Sequence, residues 1–362
     1  MNGGVLHNFL ITVERVKRNH GGAQRVRPPD PATGAELYQG GANGYIEHPA
    51  SSTPVPQERM SRIIAIANQK GGVGKTTTAI NLGACLAVAE RRTLVVDMDP
   101  QGNATSGLGV DRSAITASIY EVLVDGVPLA DARIRKVHFP YLDVVPSSRD
   151  LVGAEVELVD RPDRELILRR ALNTIRDEYD FVLVDCPPSL GLLTLNTLTA
   201  ADAVLIPIQC EFYALEGLSQ LLNTVRLVQR NLNPRLQIDG VLLTMYDQRL
   251  NLSRQVAEEA KEYFGSRVYR TAIPRNVRLA EAPSFGKPIV LYDIMSAGAQ
   301  SYLALAKEVI GRAMRSGDGG SGNGEESGPR GGAGRDGDER NARLVAAKGR
   351  AAESGDPVAS GS

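Results

Sequence analysis

Few architectures accept the run Asn68-Gln69-Lys70-Gly71-Gly72-Val73-Gly74-Lys75-Thr76-Thr77-Thr78, which crowds three glycines into four residues and follows them with a lysine and three threonines. Before it, Ile63-Ile64-Ala65-Ile66-Ala67 is short, β-branched and apolar, the pattern of a strand buried on both faces of a parallel sheet. After it, the stretch from Thr77 to Glu90 puts Ile80, Ala84, Ala87 and Val88 at helical spacing. A glycine loop between a strand and a helix N-terminus is the setting of a phosphate-binding loop. The glycines let backbone N–H groups turn inward, and the helix terminus adds partial positive charge. Lys75 is expected to reach the terminal phosphates, and the Thr76 hydroxyl to ligate Mg²⁺, an ion that keeps several waters and takes few protein ligands. A strict Gly-x4-Gly-Lys-[Ser/Thr] loop would have glycine at position 69. This chain has Gln69 there and a second lysine, Lys70, so the loop is a variant.

The pattern from Arg62 to about Arg315 alternates apolar strands with helical stretches, which predicts an α/β fold with a doubly wound, mostly parallel sheet flanked by helices. Strands are expected at Ile63–Ala67, Thr93–Val96, Leu142–Val145, Phe181–Val184, Ala203–Ile206, Ile238–Leu243 and Val268–Arg270. Helices are expected at Arg164–Asp177, Leu215–Arg230, Ser253–Phe264 and Ala297–Met314. Residues 60–315 read as a single domain without internal repeats. Residues 1–59, rich in Gly, Pro, Asn and Ser, read as a disordered extension in which only Val5–Arg18 has the makings of a short amphipathic helix. Arg15, Lys17, Arg18, Arg25 and Arg27 make that extension locally basic, and Met60 is a candidate translational start. Residues 316–362 switch to Gly, Ser and charged residues and read as a disordered tail, with a transient helix at Ala342–Ala352.

Composition narrows the partners. A formal net charge of -1 gives no global attraction to nucleic acid or acidic membranes, so any such contact needs a local patch. Cys85, Cys186 and Cys210 are widely spaced in apolar stretches, unlike a zinc site, cluster or disulfide framework, and read as core residues of a reducing cytoplasm. No apolar run is long enough to span a bilayer, and no stable membrane association is expected.

Two further strand ends carry carboxylates. Thr93-Leu94-Val95-Val96 runs into Asp97-Met98-Asp99-Pro100-Gln101-Gly102-Asn103, at the carboxyl end of the sheet where ligands of open α/β folds bind. If the strand persists, period-two spacing puts Asp97 and Asp99 on one side. Asp97 is a candidate for a water of the Mg²⁺ shell and Asp99 for orienting an attacking water; a polar strand end with a turn cap is the alternative. Phe181-Val182-Leu183-Val184 ends in Asp185-Cys186-Pro187-Pro188-Ser189, which makes Asp185 a candidate for Mg²⁺ through water, as in a Walker B element.

The set Lys70–Thr78, Asp97-Met98-Asp99-Pro100-Gln101-Gly102-Asn103-Ala104-Thr105 and Asp185-Cys186-Pro187-Pro188-Ser189-Leu190-Gly191 resembles the ParA/Soj chromosome-partitioning ATPases, P-loop NTPases of the deviant Walker A group that also includes MinD. The likeness continues through Gln209-Cys210-Glu211-Phe212-Tyr213-Ala214-Leu215-Glu216-Gly217-Leu218 and from Ile273 to Ser284, covering Met60 to Met314 and neither tail; Ala280 stands where relatives often have serine. The resemblance implies ATP and Mg²⁺ as cofactors, with Lys70, Gly71, Gly72, Val73, Gly74, Lys75, Thr76 and Thr77 on the nucleotide and Pro274 and Asn276 framing adenine. It implies Thr76, Asp97 and Asp185 at the metal, and Lys70, Lys75 and Asp99 in catalysis. Lys70 is then the lysine that crosses an ATP-sandwich homodimer to the partner's phosphates, whose charge would otherwise repel across the two-fold interface. It also implies non-specific DNA binding through Arg249 and Arg278, a nucleoid-associated cytoplasmic location, and slow hydrolysis stimulated by a ParB/Spo0J-type partner. No Asn-Lys-x-Asp guanine signature is present, in keeping with ATP over GTP.

Three relatives of the same fold are rivals. A MinD-like membrane-associated positioning ATPase would need a basic amphipathic stripe near the C-terminus, which residues 316–362 lack. A metabolic ligase would need a second-substrate site that the sequence does not advertise. A nitrogenase-reductase-like enzyme would need a cysteine-ligated cluster.

Overall fold

All six strands of the sheet are parallel, in the order β3-β2-β4-β1-β5-β6. They are β1 Arg62–Ile66, β2 Thr93–Asp97, β3 Leu142–Val145, β4 Phe181–Asp185, β5 Ala203–Gln209 and β6 Gln237–Thr244. A computed structural model describes residues 61–211 and 218–318. The expectations for residues 1–59, Met60, Val5–Arg18, Phe212–Gly217 with the helix start at Leu215, and Ala342–Ala352 lie outside the described residues, as does the tail beyond Asp318. The described residues as far as Gly317 fall within one compact unit.

The helical segments are α1 Lys75–Val88, α2 Asn103–Gly107, α3 Ile119–Val124, α4 Leu129–Ala132, α5 Leu151–Glu157, α6 Ile167–Asn173, α7 Leu192–Ala200, α8 Leu218–Asn231, α9 Asn251–Phe264, α10 Val277–Glu281, α11 Ile289–Tyr292 and α12 Ala297–Asp318. Alternation along the strands divides them into two layers. Ile63, Ala65, Leu94, Val96, Val182 and Val184 form one core with α3 to α9. Ile64, Ile66, Val95 and Leu183 form the other with α1, α2 and α10 to α12. Because both faces are covered, the strands can be apolar throughout, which is why they were legible as runs.

α1 packs on the sheet in the same layer as α10 to α12 and is buried along most of its length, with Thr78 Oγ1 lying 3.2 Å from Tyr302 Oη of α12. α8 buries only Leu218, Leu221, Leu222, Val225 and Val228, one stripe at helical spacing. α12 runs on to Asp318, past its expected end at Met314.

Two expectations are corrected. Val268–Arg270 is not a strand: it meets β6 through a single bridge, Val241 to Val268, with Tyr269 N donating to Val241 O at 2.9 Å. The chain reaches it from the turn Gly265–Arg267, and the pairing is interrupted because Glu308 of α12 takes the next two amides, Arg270 N and Thr271 N, before Ile273 N returns to Leu243 O. The expected helix Arg164–Asp177 is three pieces, α6 between the 3₁₀ turns Arg164–Leu166 and Arg176–Glu178. Asn196 of α7 fixes the first break by accepting from Leu168 N and donating to Arg164 O. At the second, the Thr174 hydroxyl donates to Ala171 O, a local bond that competes with helix continuation.

Candidate functional site

The glycine loop leaves β1 at the middle of the sheet and is tied down on both sides. Asn68 Nδ2 donates to Pro207 O of β5 at 2.7 Å, while its Oδ1 accepts Lys70 N at 3.0 Å. Thr244, the last residue of β6, places its hydroxyl 2.9 Å from Val73 O and 3.2 Å from Ile208 O. Gly74, at φ 87°, is the left-handed residue that turns the chain into α1, and a side chain there would be strained. Gly71 is different. Its φ is not positive and an added Cβ would meet nothing within 4 Å, so neither conformation nor packing requires glycine there.

Lys75 opens α1 and is buried, with Nζ donating to Lys70 O at 3.1 Å. Burial lowers its pKa, opposed by the negative charges of Asp185 and Asp99. The Lys70 ammonium has no hydrogen-bond or ion-pair partner among the described residues. Thr76 and Thr77 follow in the first turn of α1 and are half-buried.

Asp97 and Asp185 end β2 and β4 and are register partners. They share the parity of Val95 and Leu183, so both face the α1 layer. Both are fully buried. Asp97 is satisfied: Oδ2 accepts Thr105 N and Thr105 Oγ1, each at 2.7 Å, and Oδ1 accepts Asp99 N at 3.2 Å. Burial nevertheless pushes its pKa up to about 6 against those bonds. Asp185 is not satisfied. Neither carboxylate oxygen completes a hydrogen bond of normal geometry among the described residues, although the Thr76 hydroxyl lies near enough to favour its charged form. Burial, and then the charge of Asp97, raise its pKa well above the usual carboxylate range. An orphaned carboxylate beside a threonine hydroxyl and an ammonium fits a hydrated divalent cation. Among the described residues there is no group of three or more His, Cys, Asp or Glu side chains placed to hold a metal ion by themselves.

β2 stops at Asp97, so the expected period-two pairing with Asp99 does not arise. Asp99 instead sits in the turn beyond, buried, with Oδ1 accepting Gln101 N at 2.9 Å. Pro274 and Asn276 reach the same end of the sheet, since Tyr246 N donates to Ile273 O and Tyr246 bridges Pro274. Asn276 is the N-cap of α10, accepting from Arg278 N. Arg249 and Arg278 are exposed but committed. Arg249 makes a bidentate pair with Asp247 at 2.7 and 2.9 Å, which holds that carboxyl down at about 2. Arg278 faces Glu281 at 3.0 Å and Asp293 at 3.7 Å. Thr105, Thr244 and Asn68 hold the site together but received no role from the sequence. Thr105 and Asn68 stood inside the quoted motifs; Thr244, more than 160 residues from the loop it supports, carried no signal.

The AAA_31 family model, described as an AAA domain, matches residues 61–238. The sporulation initiation inhibitor protein Soj of Bacillus subtilis is 61% identical over 250 residues, spanning 69% of this chain and 98% of the relative. The chromosome partitioning protein ParA of Myxococcus xanthus is 60% identical over 253 residues, 70% of this chain and 89% of the relative. Among solved structures, a cobyrinic acid a,c-diamide synthase from Mycobacterium smegmatis, with bound ADP and magnesium, aligns with a TM-score of 0.62 at 40% identity, covering 71% of this chain and 97% of that one.

Proposed function

The chain belongs to the ParA/Soj family of chromosome-partitioning ATPases, and on that premise we propose that it is a Mg²⁺-dependent ATPase whose ATP-bound homodimer holds DNA without sequence preference and lets go on hydrolysis. The observation that supports it most is the pair of buried groups behind the loop, the Asp185 carboxyl without a hydrogen bond of normal geometry among the described residues and the Lys75 ammonium with one. A nucleotide's phosphates and the associated cation would complete both. Thr76 and Asp185, with Asp97 through water, would hold Mg²⁺, which neutralises charge developing on the transferred phosphoryl group.

The residues have separable parts. The loop amides and Lys75 bind the phosphates, Asp99 orients the attacking water, and Pro274 and Asn276 frame the base. Lys70 offers its ammonium to the triphosphate of a second copy, and a ParB-type partner accelerates an otherwise slow turnover. Arg249 and Arg278 contact DNA phosphates. The amide-forming activity named for the M. smegmatis protein belongs to a chain 40% identical, whereas the chromosome-partitioning name belongs to chains at 60% and 56%, which favours partitioning.

ATP turnover measured with and without Mg²⁺, DNA and a candidate centromere-binding protein tests the reading. The expected result is turnover that needs Mg²⁺ and rises when DNA and partner are both present. Turnover indifferent to Mg²⁺ would overturn it.

A further inference from the structure

We infer that Arg112 is a positioning residue for hydrolysis, clasping from the solvent side the turn that carries Asp99. The inference rests on the reading of Asp99 as the group that orients the attacking water.

The turn is held from within and from without. Inside, Asp97 takes Asp99 N and both donors of Thr105, and Thr105 Oγ1 in turn accepts Ser147 N at 2.9 Å. Outside, two consecutive carbonyls, Gln101 O and Gly102 O, accept from Arg112 Nη2 at 2.5 and 2.8 Å. These two residues also fix Asp99, because Gln101 N donates to its Oδ1 and Gly102 N to its backbone carbonyl. Gly102 O is shared with Ser106 N and Ser106 Oγ of α2, so the same guanidinium pins the start of that helix. Arg112 is delivered by the 3₁₀ turn Arg112–Ala114, which Asp111 caps through Ser113 N and Oγ.

Arg112 differs from Arg92, Arg249 and Arg278, whose guanidinium groups face carboxylates. Among the described residues it has no acidic partner, and its two side-chain hydrogen bonds both go to the Asp99 turn. An exposed contact of this kind adds little to global stability. Its leverage is geometric: Gln101 O shares its peptide group with Gly102 N, one of the two amides that hold Asp99, and Gly102 O belongs to the next. A misplacement of about 1 Å at a reacting centre costs on the order of 10²-fold in rate.

The test is steady-state ATP turnover of the full chain with Mg²⁺, comparing wild type, Arg112→Ala, Arg112→Met, Arg112→Lys and Asp99→Ala. The expected result is a kcat lowered roughly 10- to 100-fold in the Ala and Met variants. The KM for ATP and the thermal midpoint should stay unchanged, and lysine should restore part of kcat. Arg112→Met keeps the stem and drops the donors, and so serves if the Ala variant does not fold. A wild-type kcat in either variant overturns the inference, as does a raised KM with kcat intact, which would put Arg112 on the nucleotide. Loss of turnover in Asp99→Ala alongside a normal Arg112→Ala would sink this inference alone. Full turnover in Asp99→Ala would sink the reading beneath it.

Discussion

Asp97 and Asp185 are neighbours in register with opposite surroundings, one saturated by donors from Thr105 and Asp99, the other with none. Replacing Asp185 with Asn removes a buried charge without changing its shape. We expect a higher thermal midpoint for the nucleotide-free protein together with a loss of Mg²⁺-dependent turnover of about 10²-fold or more, read by calorimetry and phosphate release. Asp97 sets a pH dependence. Its carboxyl titrates at about 6 in the folded chain against an ordinary value of 3.8, so the folded state keeps a proton that the unfolded state has released. That contribution to stability is complete below pH 3.8 and is lost as pH rises through about 6. Other groups titrate in the same range. The check is therefore the difference between wild type and Asp97→Asn in urea midpoints from pH 4 to 7, which should widen towards low pH in favour of wild type.

At the scale of elements, strands buried on both faces announce themselves as apolar runs, and all six were legible together with the loop after β1. What the sequence hid were features decided by distant partners. The break at Leu168 depends on Asn196, the single bridge at Val268 on Glu308, and the strap across Val73 on Thr244. None has a local signature, because each is a backbone group satisfied by a side chain far along the chain. The joint between α2 and the turn before α11 is another. Gly109 and Gly286, at φ 72° and 59°, pack so closely that a Cβ on either would lie 2.6 Å from the other's backbone. His138 Nε2 lies 2.9 Å from both Leu108 O and Gly286 O beside them. Gly286→Ala should therefore cost about 1–3 kcal/mol from backbone conformation alone, and more from the overlap, measured by chemical denaturation. The same variant tests whether the Asp99 segment depends on the α10 segment, since turnover would then fall with it.

For the whole molecule, the arrangement of charge decides association. On the proposed ATP-bound homodimer, wild type should double in mass with ATP and Mg²⁺ when turnover is blocked, as read by light scattering, and Lys70→Ala should abolish that doubling while leaving the monomer folded. On the proposed DNA contact, DNA would have to compete with Asp247 for Arg249 and with Glu281 for Arg278. Arg249→Ala should then reduce the salt slope of DNA binding by about one, whereas Asp247→Asn, which frees the guanidinium, should tighten binding at every salt concentration.

The strands at the margins of the sheet bear on how copies can meet. Beside β3, Ile134 exchanges both backbone bonds with Val144, and Val137 N reaches Leu142 O. Beside β6, Tyr269 and Ile273 donate to Val241 and Leu243. Among the described residues, each border is thus partly sealed by a few stitches of the protein's own loops, which shortens the ladder open to another chain. Copies crowded together at high local concentration are thereby hindered from fusing rim to rim into fibrils.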